Sequence, residues 1–349
     1  MICPLTDIVI TGYGAITAAG SGIGPLLELL RTGGDALTPL PADIVGTEEY
    51  RWGKAHGFKA TDYIPPLKAR KMDRCSQFSV AAAGMALKDA EIDPKGMNPE
   101  RIGIALGCGF GGVANSAEFL GGYFANGVEG LTPMLFPNTV SNAPASNASI
   151  EHGLKGPNVT LVQRFCSAES AFLMACRFIA EGRADVMLAG GADDLMPLMI
   201  HGFDATGQLR RYASSFGEGS GILVLENSDH AARRGATPRG AVLSVATVGM
   251  LVRGREQEGL ERLISPSEEA ALISLGGTVR ETPLLCEYLA GRETIDTGRC
   301  TGRSLAMGGT AMAALLASLE TDQAGLHLAA SPEGPYYAIR FRGGAPVHP

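Results

Sequence analysis

The sequence has fewer lysines and arginines than acidic residues (29 against 36), no CxxC pair and no apolar run near the roughly 20 residues of a membrane helix. Its 349 residues carry a net charge of −7 and a pI near 5.5, which argues against a nucleic-acid partner, whose phosphates call for a basic face. The seven cysteines (3, 75, 108, 166, 176, 286 and 300) are scattered and have no histidine at zinc spacing, so no metal is expected. An odd number of isolated thiols suits a reducing compartment. The opening MICPLTDIVITGYG lacks a basic n-region. Neither a signal peptide nor a membrane partner is expected, and a cytoplasmic location is. The glycines of GCGFGG at 107–112 lack dinucleotide spacing and a later acid, so no nucleotide cofactor is expected.

What is present is material for burial. Hydrophobic residues make up 45% and charged ones 19%, and the 47 glycines follow no fixed period, as in a chain with many tight strand–helix turns. The organising stretch is GPNVTLVQRFCSAESAFLMACRFIAEGRADVMLAGGADD, residues 156–194. It predicts a strand over 158–162, a turn through Gln163–Cys166, a helix over about 168–181 and a returning strand over 186–189. A thiol in a strand–turn–helix elbow is how α/β enzymes present a nucleophile.

Around it, strands are expected at 7–11 (closed by Gly12–Gly14), 101–107, 219–225, 239–248 and 336–342. Helices are expected over 72–90, 111–125 and 229–234, with 268–275, 283–290 and 306–319 helical or mixed. The alternation implies an α/β fold with a largely parallel interior sheet.

Seven ordered stretches carry a family likeness: VITGYGAITAAG, KMDRCSQFSVAAAGMALKDAEI, RIGIALGCGFGG, FPNTVSNAPA, GPNVTLVQRFCSAESAF, EGRADVMLAGGAD and GEGSGILVLENSDHAARRGA. With them the chain resembles the β-ketoacyl synthases of the thiolase fold, condensing enzymes of fatty-acid and polyketide assembly. The resemblance implies a five-layered αβαβα architecture of two pseudo-duplicated halves. They would be residues 1–236 and a shortened 237–349, where the likeness fades. It also implies a dimer with contacts near Phe136–Ala148 and along the strand before the elbow, and acyl carrier protein as a partner.

The family's activity needs a cysteine at the elbow and two histidines. Ungapped counting from Gly156 and back from Gly190 puts Phe165 at the cysteine position, with Cys166 one place late. The first histidine motif matches Leu275-Gly276-Gly277-Thr278, with Gly276 at the histidine. The second matches Ser304-Leu305-Ala306-Met307-Gly308-Gly309, with Leu305 there. The family's lysine falls near Cys300 or Thr301, and its glycine-rich gate is replaced by Ser331–Pro335. Residues 231–326 contain no histidine.

Three expectations follow. The first is a non-condensing, chain-length-factor-like subunit that supports an active ketosynthase in a heterodimer and shapes its acyl tunnel. The second is an acyltransferase using Cys166 on carrier-protein thioesters. The third is a non-enzymatic homodimeric binding protein. Arg164 and Glu169 are expected to form a solvated or interface ion pair. His152, His201 and His230 are expected at helix ends or in loops, without catalytic roles.

Overall fold

Strand β1 runs from Ile8 to Thr17, straight through the glycines at which the sequence suggested an end. A Cβ on Gly14 would stand 2.3 Å from the carbonyl oxygen of Ala82. The glycine therefore continues the strand and lets the alanine-rich helix α1 (Arg74–Asp89) lie directly on it. Asp73 caps that helix by accepting the Ser76 N–H at 2.8 Å. The computed structural model describes residues 2–4, 7–46, 49–212, 215–265 and 269–344.

Four more strands complete the first set: β2 (Ile102–Cys108), β3 (Asn158–Leu161), β4 (Val186–Asp193) and β5 (Gly219–Asn227). The second set is β6 (Gly240–Val248), β7 (Leu272–Gly277), β8 (Thr294–Ile295), β9 (Ala324–Ala330) and β10 (Tyr336–Gly343). Spatial order is β3-β2-β4-β5-β1 followed by β6-β10-β9-β7-β8. Each set thus repeats one topology, third-second-fourth-fifth-first. In each, the second strand is parallel to the third and fourth, and the fifth is antiparallel to both neighbours. A short antiparallel contact, Gly240 with Ile10 and Ala241 with Val9, joins the sets.

The sheet is therefore mixed rather than largely parallel. Strand–helix alternation signals crossovers, but a buried apolar strand reads the same in either direction. Two further expectations fail. Of the stretch 268–275, Leu272 onward is strand β7, while Glu268 lies outside the described residues. Strand β9 carries the period-2 run AGLHLAA that the sequence-based element list omits.

The layers follow from which faces are apolar. Helix α1 and α3 (Ala143–His152) cover one face of the first set. Helix α6 (Glu256–Leu263) and its neighbour α7 (Pro283–Leu289) cover the outer face of the second. Between the sets lie α4 (Ser167–Ala180) and α8 (Gly308–Ser318), in contact with each other. This is the five-layered αβαβα arrangement. The middle layer is dry: Gly309 to Leu316 are all buried, and Phe172 of α4 packs edge-on against Phe341 of β10.

Candidate functional site

The two central helices begin close together, and the residues singled out by sequence gather at those N-termini. Strand β3 enters α4 through a turn in which Arg164 takes a left-handed conformation at φ 51°. The Ser167 hydroxyl fixes the turn, accepting the Gln163 N–H at 2.8 Å and donating toward the Arg164 carbonyl. The turn sends two adjacent side chains in opposite directions.

Phe165, 2% exposed, drops into an apolar cluster with Leu195, Met199, Phe203, Phe216 and Leu305. Its ring meets Tyr212 edge-on at 5.2 Å. Cys166 turns into the main core, fully buried, and its thiol donates to the Pro335 carbonyl oxygen at 3.3 Å. Burial pushes this thiol well above its ordinary pKa, and the carboxylates of Glu169 and Glu333 push it further. Against these, the positive end of the helix does not prevail as it does for exposed N-terminal cysteines.

Gly276 is the penultimate residue of β7 and Leu305 precedes α8. Leu305 is buried in the same cluster as Phe165. A Cβ on Gly276 would stand 2.7 Å from Glu169 Oε1 and 3.1 Å from His327 Cε1. What occupies that space is a polar relay. Glu169, one turn into α4, meets His327 Nε2 at 2.9 Å. Nδ1 of the same ring meets the Ser274 hydroxyl at 2.9 Å, and all three residues are 0% exposed. With Glu169 ionised, Nε2 carries a proton toward it and Nδ1 accepts from Ser274. Glu169 also abuts the start of α8, where a Cβ on Gly308 would lie 2.0 Å from Oε1. Negative charge is favoured at a helix N-terminus.

Glu169 therefore does not form the expected solvated pair with Arg164. Arg164 donates through Nη2 to the Gln208 side-chain oxygen at 2.9 Å. His327 lies one residue past the histidine-free stretch; a histidine on the inward face of an apolar strand was the available signal. His152 ends α3 and contacts the Val80 carbonyl, and His230 pairs with Glu226. His201, expected at a helix end or in a loop, is instead in the middle of helix α5 (Pro197–Ala205).

A buried carboxylate steadies the loop bearing Leu305. Asp193, at the end of β4, accepts from the Gly109 N–H at 2.8 Å and from the Ser304 hydroxyl and Ala306 N–H at 2.6 Å. Burial raises its pKa to about 6 despite these bonds, and raises neighbouring Asp194 to about 7 with help from Asp73. Among the described residues no group of three metal-ligating side chains converges, and no helix is long and apolar enough to cross a membrane.

The model of the β-ketoacyl synthase N-terminal domain matches residues 5–231. The chain belongs to the β-ketoacyl synthase family. It is 31% identical over 247 residues to 3-oxoacyl-[acyl-carrier-protein] synthase 2 of Vibrio cholerae, covering 66% of this chain and 60% of the relative. The Staphylococcus aureus protein of that name is 28% identical over 261 residues, covering 69% and 63%.

Likeness in shape extends further than likeness in sequence. A type II polyketide ketosynthase, solved with its acyl-carrier protein and bound to a hexaketide, superimposes with TM-score 0.80 at 21% identity over 97% of this chain and 99% of that one. The ishigamide ketosynthase/chain length factor gives 0.76 at 22%, with the same coverage. A β-ketoacyl synthase from Burkholderia phymatum gives 0.79 at 21%, again over 97% and 99%. These matches establish the thiolase-like ketosynthase fold over the whole chain.

Proposed function

We propose that this ketosynthase-family chain does not condense. It works as the chain-length-factor-like half of a heterodimer with an active ketosynthase, on acyl chains delivered by acyl carrier protein. The observation that carries the reading is what stands at the three family positions. Phe165 and Leu305 fill one apolar cluster, and Gly276 faces a carboxylate that leaves no room for a side chain. The neighbouring thiol of Cys166 is buried, and burial raises its pKa well above the ordinary value, which disfavours the thiolate that acyl transfer needs. No observation favours the acyltransferase alternative.

Support for a partner comes from an exposed apolar surface on the first half. Val162, just after the edge strand β3, is 48% exposed, and Ile150 of α3 is 74% exposed. Phe136 is 63% exposed, and Phe124 of α2 (Val113–Asn126) is 79% exposed. Exposed apolar patches beside an unpaired strand edge are what subunit interfaces cover. The resemblance implies dimer contacts along the same stretch.

Co-expression with a ketosynthase that keeps its cysteine and both histidines tests the reading. A 1:1 complex should purify, and opening a cavity with Phe165→Ala should shift product length. A stable homodimer that ignores the ketosynthase and leaves product length unchanged overturns the pairing. An acyl adduct on Cys166, seen by intact mass after incubation with acyl-carrier thioester, would instead support the acyltransferase.

A further inference from the structure

Helices α6 and α7 are neighbours on the outer face of the second strand set. A groove between them encloses about 550 Å3, counting the part open to solvent. Its floor is apolar, with Leu260 and Ile264 on the α6 side and Leu284 and Tyr288 on α7. Ile264 continues the α6 turn, its N–H donating to the Leu260 carbonyl at 2.8 Å. The members of each pair are four residues apart, so each pair forms a ridge along one edge of its helix. Two ridges with a gap between them are a surface on which the side chains of a third helix can seat. Leu260 and Ile264 are buried, whereas Leu284 and Tyr288 are only half-buried. The volume admits side chains from one face of a helix and not a whole helix of about 10–12 Å diameter.

The rims carry charge of one sign. Glu261 of α6 and Glu287 of α7 are exposed and line the groove. Among the described residues neither forms an ion pair, and Glu261 accepts from the neutral Gln257 Nε2 at 3.2 Å. The two helices together hold four glutamates against one arginine. Of these glutamates, Glu258 is taken by Arg255 and lines, with Arg262, a different groove. Arg292 does not neutralise the rims: its guanidinium lies over the Tyr288 ring at 4.3 Å, and its Nε donates to the Tyr288 carbonyl at 3.0 Å. An apolar trough between unpaired carboxylates is complementary to a helix with an aliphatic stripe flanked by lysine or arginine, whose stems add apolar contact.

We propose that the groove between α6 and α7 docks a basic amphipathic helix of a partner protein. Its aliphatic stripe lies on Leu284 and Tyr288 over Leu260 and Ile264, and its cations stand beside Glu261 and Glu287. The exposed apolar residues that support subunit pairing belong to the first half of the chain, so the two proposals stand or fall separately.

Fluorescence anisotropy of the full-length chain with a labelled leucine–lysine peptide of about 14 residues, its leucines at i, i+3, i+4 and i+7, reads docking directly. The same peptide with glutamate for lysine is the charge control. The lysine peptide should bind at least about tenfold more tightly than the glutamate peptide. Glu261→Lys with Glu287→Lys should weaken it about tenfold, with the urea midpoint unchanged because both positions are exposed. Glu91→Lys with Glu100→Lys makes the same change in net charge at exposed positions of the first half and should leave the affinity nearly unchanged. Leu284→Ala should weaken the lysine peptide through lost apolar contact. No binding of that peptide, equal binding of the glutamate peptide, or unchanged affinity in Glu261→Lys with Glu287→Lys overturns the proposal. An equal loss in the Glu91 and Glu100 pair also overturns it, since that marks attraction to net charge alone. Because the isolated chain is used, peptide docking without any response to a ketosynthase keeps this inference and loses the pairing.

Discussion

The two strand sets share one topology, yet their central helices begin differently. Helix α4 starts with a tight turn, a buried aromatic and a buried thiol, then places a carboxylate in the interior. Helix α8 starts with Met307, Gly308 and Gly309, which have nothing ionisable to offer. The carboxylate of the first fits against the glycines of the second and against Gly276. A Cβ would stand 2.7 Å from Glu169 Oε1 at Gly276 and 2.0 Å from it at Gly308, so glycine at both positions accommodates the carboxylate. The duplicated fold is kept by backbone packing, and a buried relay of Glu169, His327 and Ser274 lies at its centre.

The sharpest way to break this contrast is at His327. His327→Leu strands the Glu169 carboxylate in the core and should cost about 3–5 kcal/mol in urea unfolding. Adding Glu169→Leu should recover most of that, because an apolar pair replaces a buried polar pair. Loss without recovery would mean that the relay does not act as a unit.

The α8 glycines come next. A Cβ on Gly309 would lie 2.0 Å from the Gly221 carbonyl oxygen, a backbone atom that cannot swing away, so Gly309→Ala should cost about 3 kcal/mol. The three atoms nearest a Cβ on Gly308 all belong to the Glu169 side chain, so the penalty of Gly308→Ala should shrink in a Glu169→Ala background. A double-mutant cycle measures that coupling.

The third effect is a pH dependence. Asp193 and Asp194 have folded-state pKa values raised to about 6 and about 7, against an ordinary 3.8. The folded chain therefore binds these protons more tightly than the unfolded chain. Their contribution to stability is fully present below 3.8 and is lost as pH rises through the two folded values, at up to about 1.4 kcal/mol per pH unit for each group. Asp194→Asn should flatten the decline between pH 5 and pH 7 by about 2 kcal/mol. A wild-type chain whose urea midpoint rises over that interval would contradict the burial of these acids.

The smallest effect concerns the thiol. Cys166→Ala should cost about 1 kcal/mol, the size of one weak hydrogen bond and a little packing. In native alkylation followed by peptide mapping, half-buried Cys286 should label before Cys166. Early labelling of Cys166 would show that the elbow opens.

Much of the first half was legible along the chain. The expected helix over 72–90 is α1, the strand over 101–107 is β2, and the elbow has the predicted strand, turn and helix. These elements have local signals: apolar periodicity, an Asp cap, glycine at the breaks. The register that put Phe165 before Cys166 was equally local, but where each side chain points was not. That depends on the left-handed residue at Arg164 and on what packs beneath. In the second half β7 and β9 were mistaken or missed, because a short apolar run reads equally well as strand or helix until its neighbours are known.

Local sequence was enough for the α/β character and for the family likeness over residues 6–236, and it led to the expectation that Phe165, Gly276 and Leu305 stand at the family's cysteine and histidine positions. Only the tertiary structure brought Glu169, His327 and Ser274 together, across separations of 158 and 53 residues. Only it set Arg164 against Gln208 rather than Glu169. Composition and periodicity report on neighbours within a few turns of chain, and these polar contacts form where two sheets and two buried helices meet.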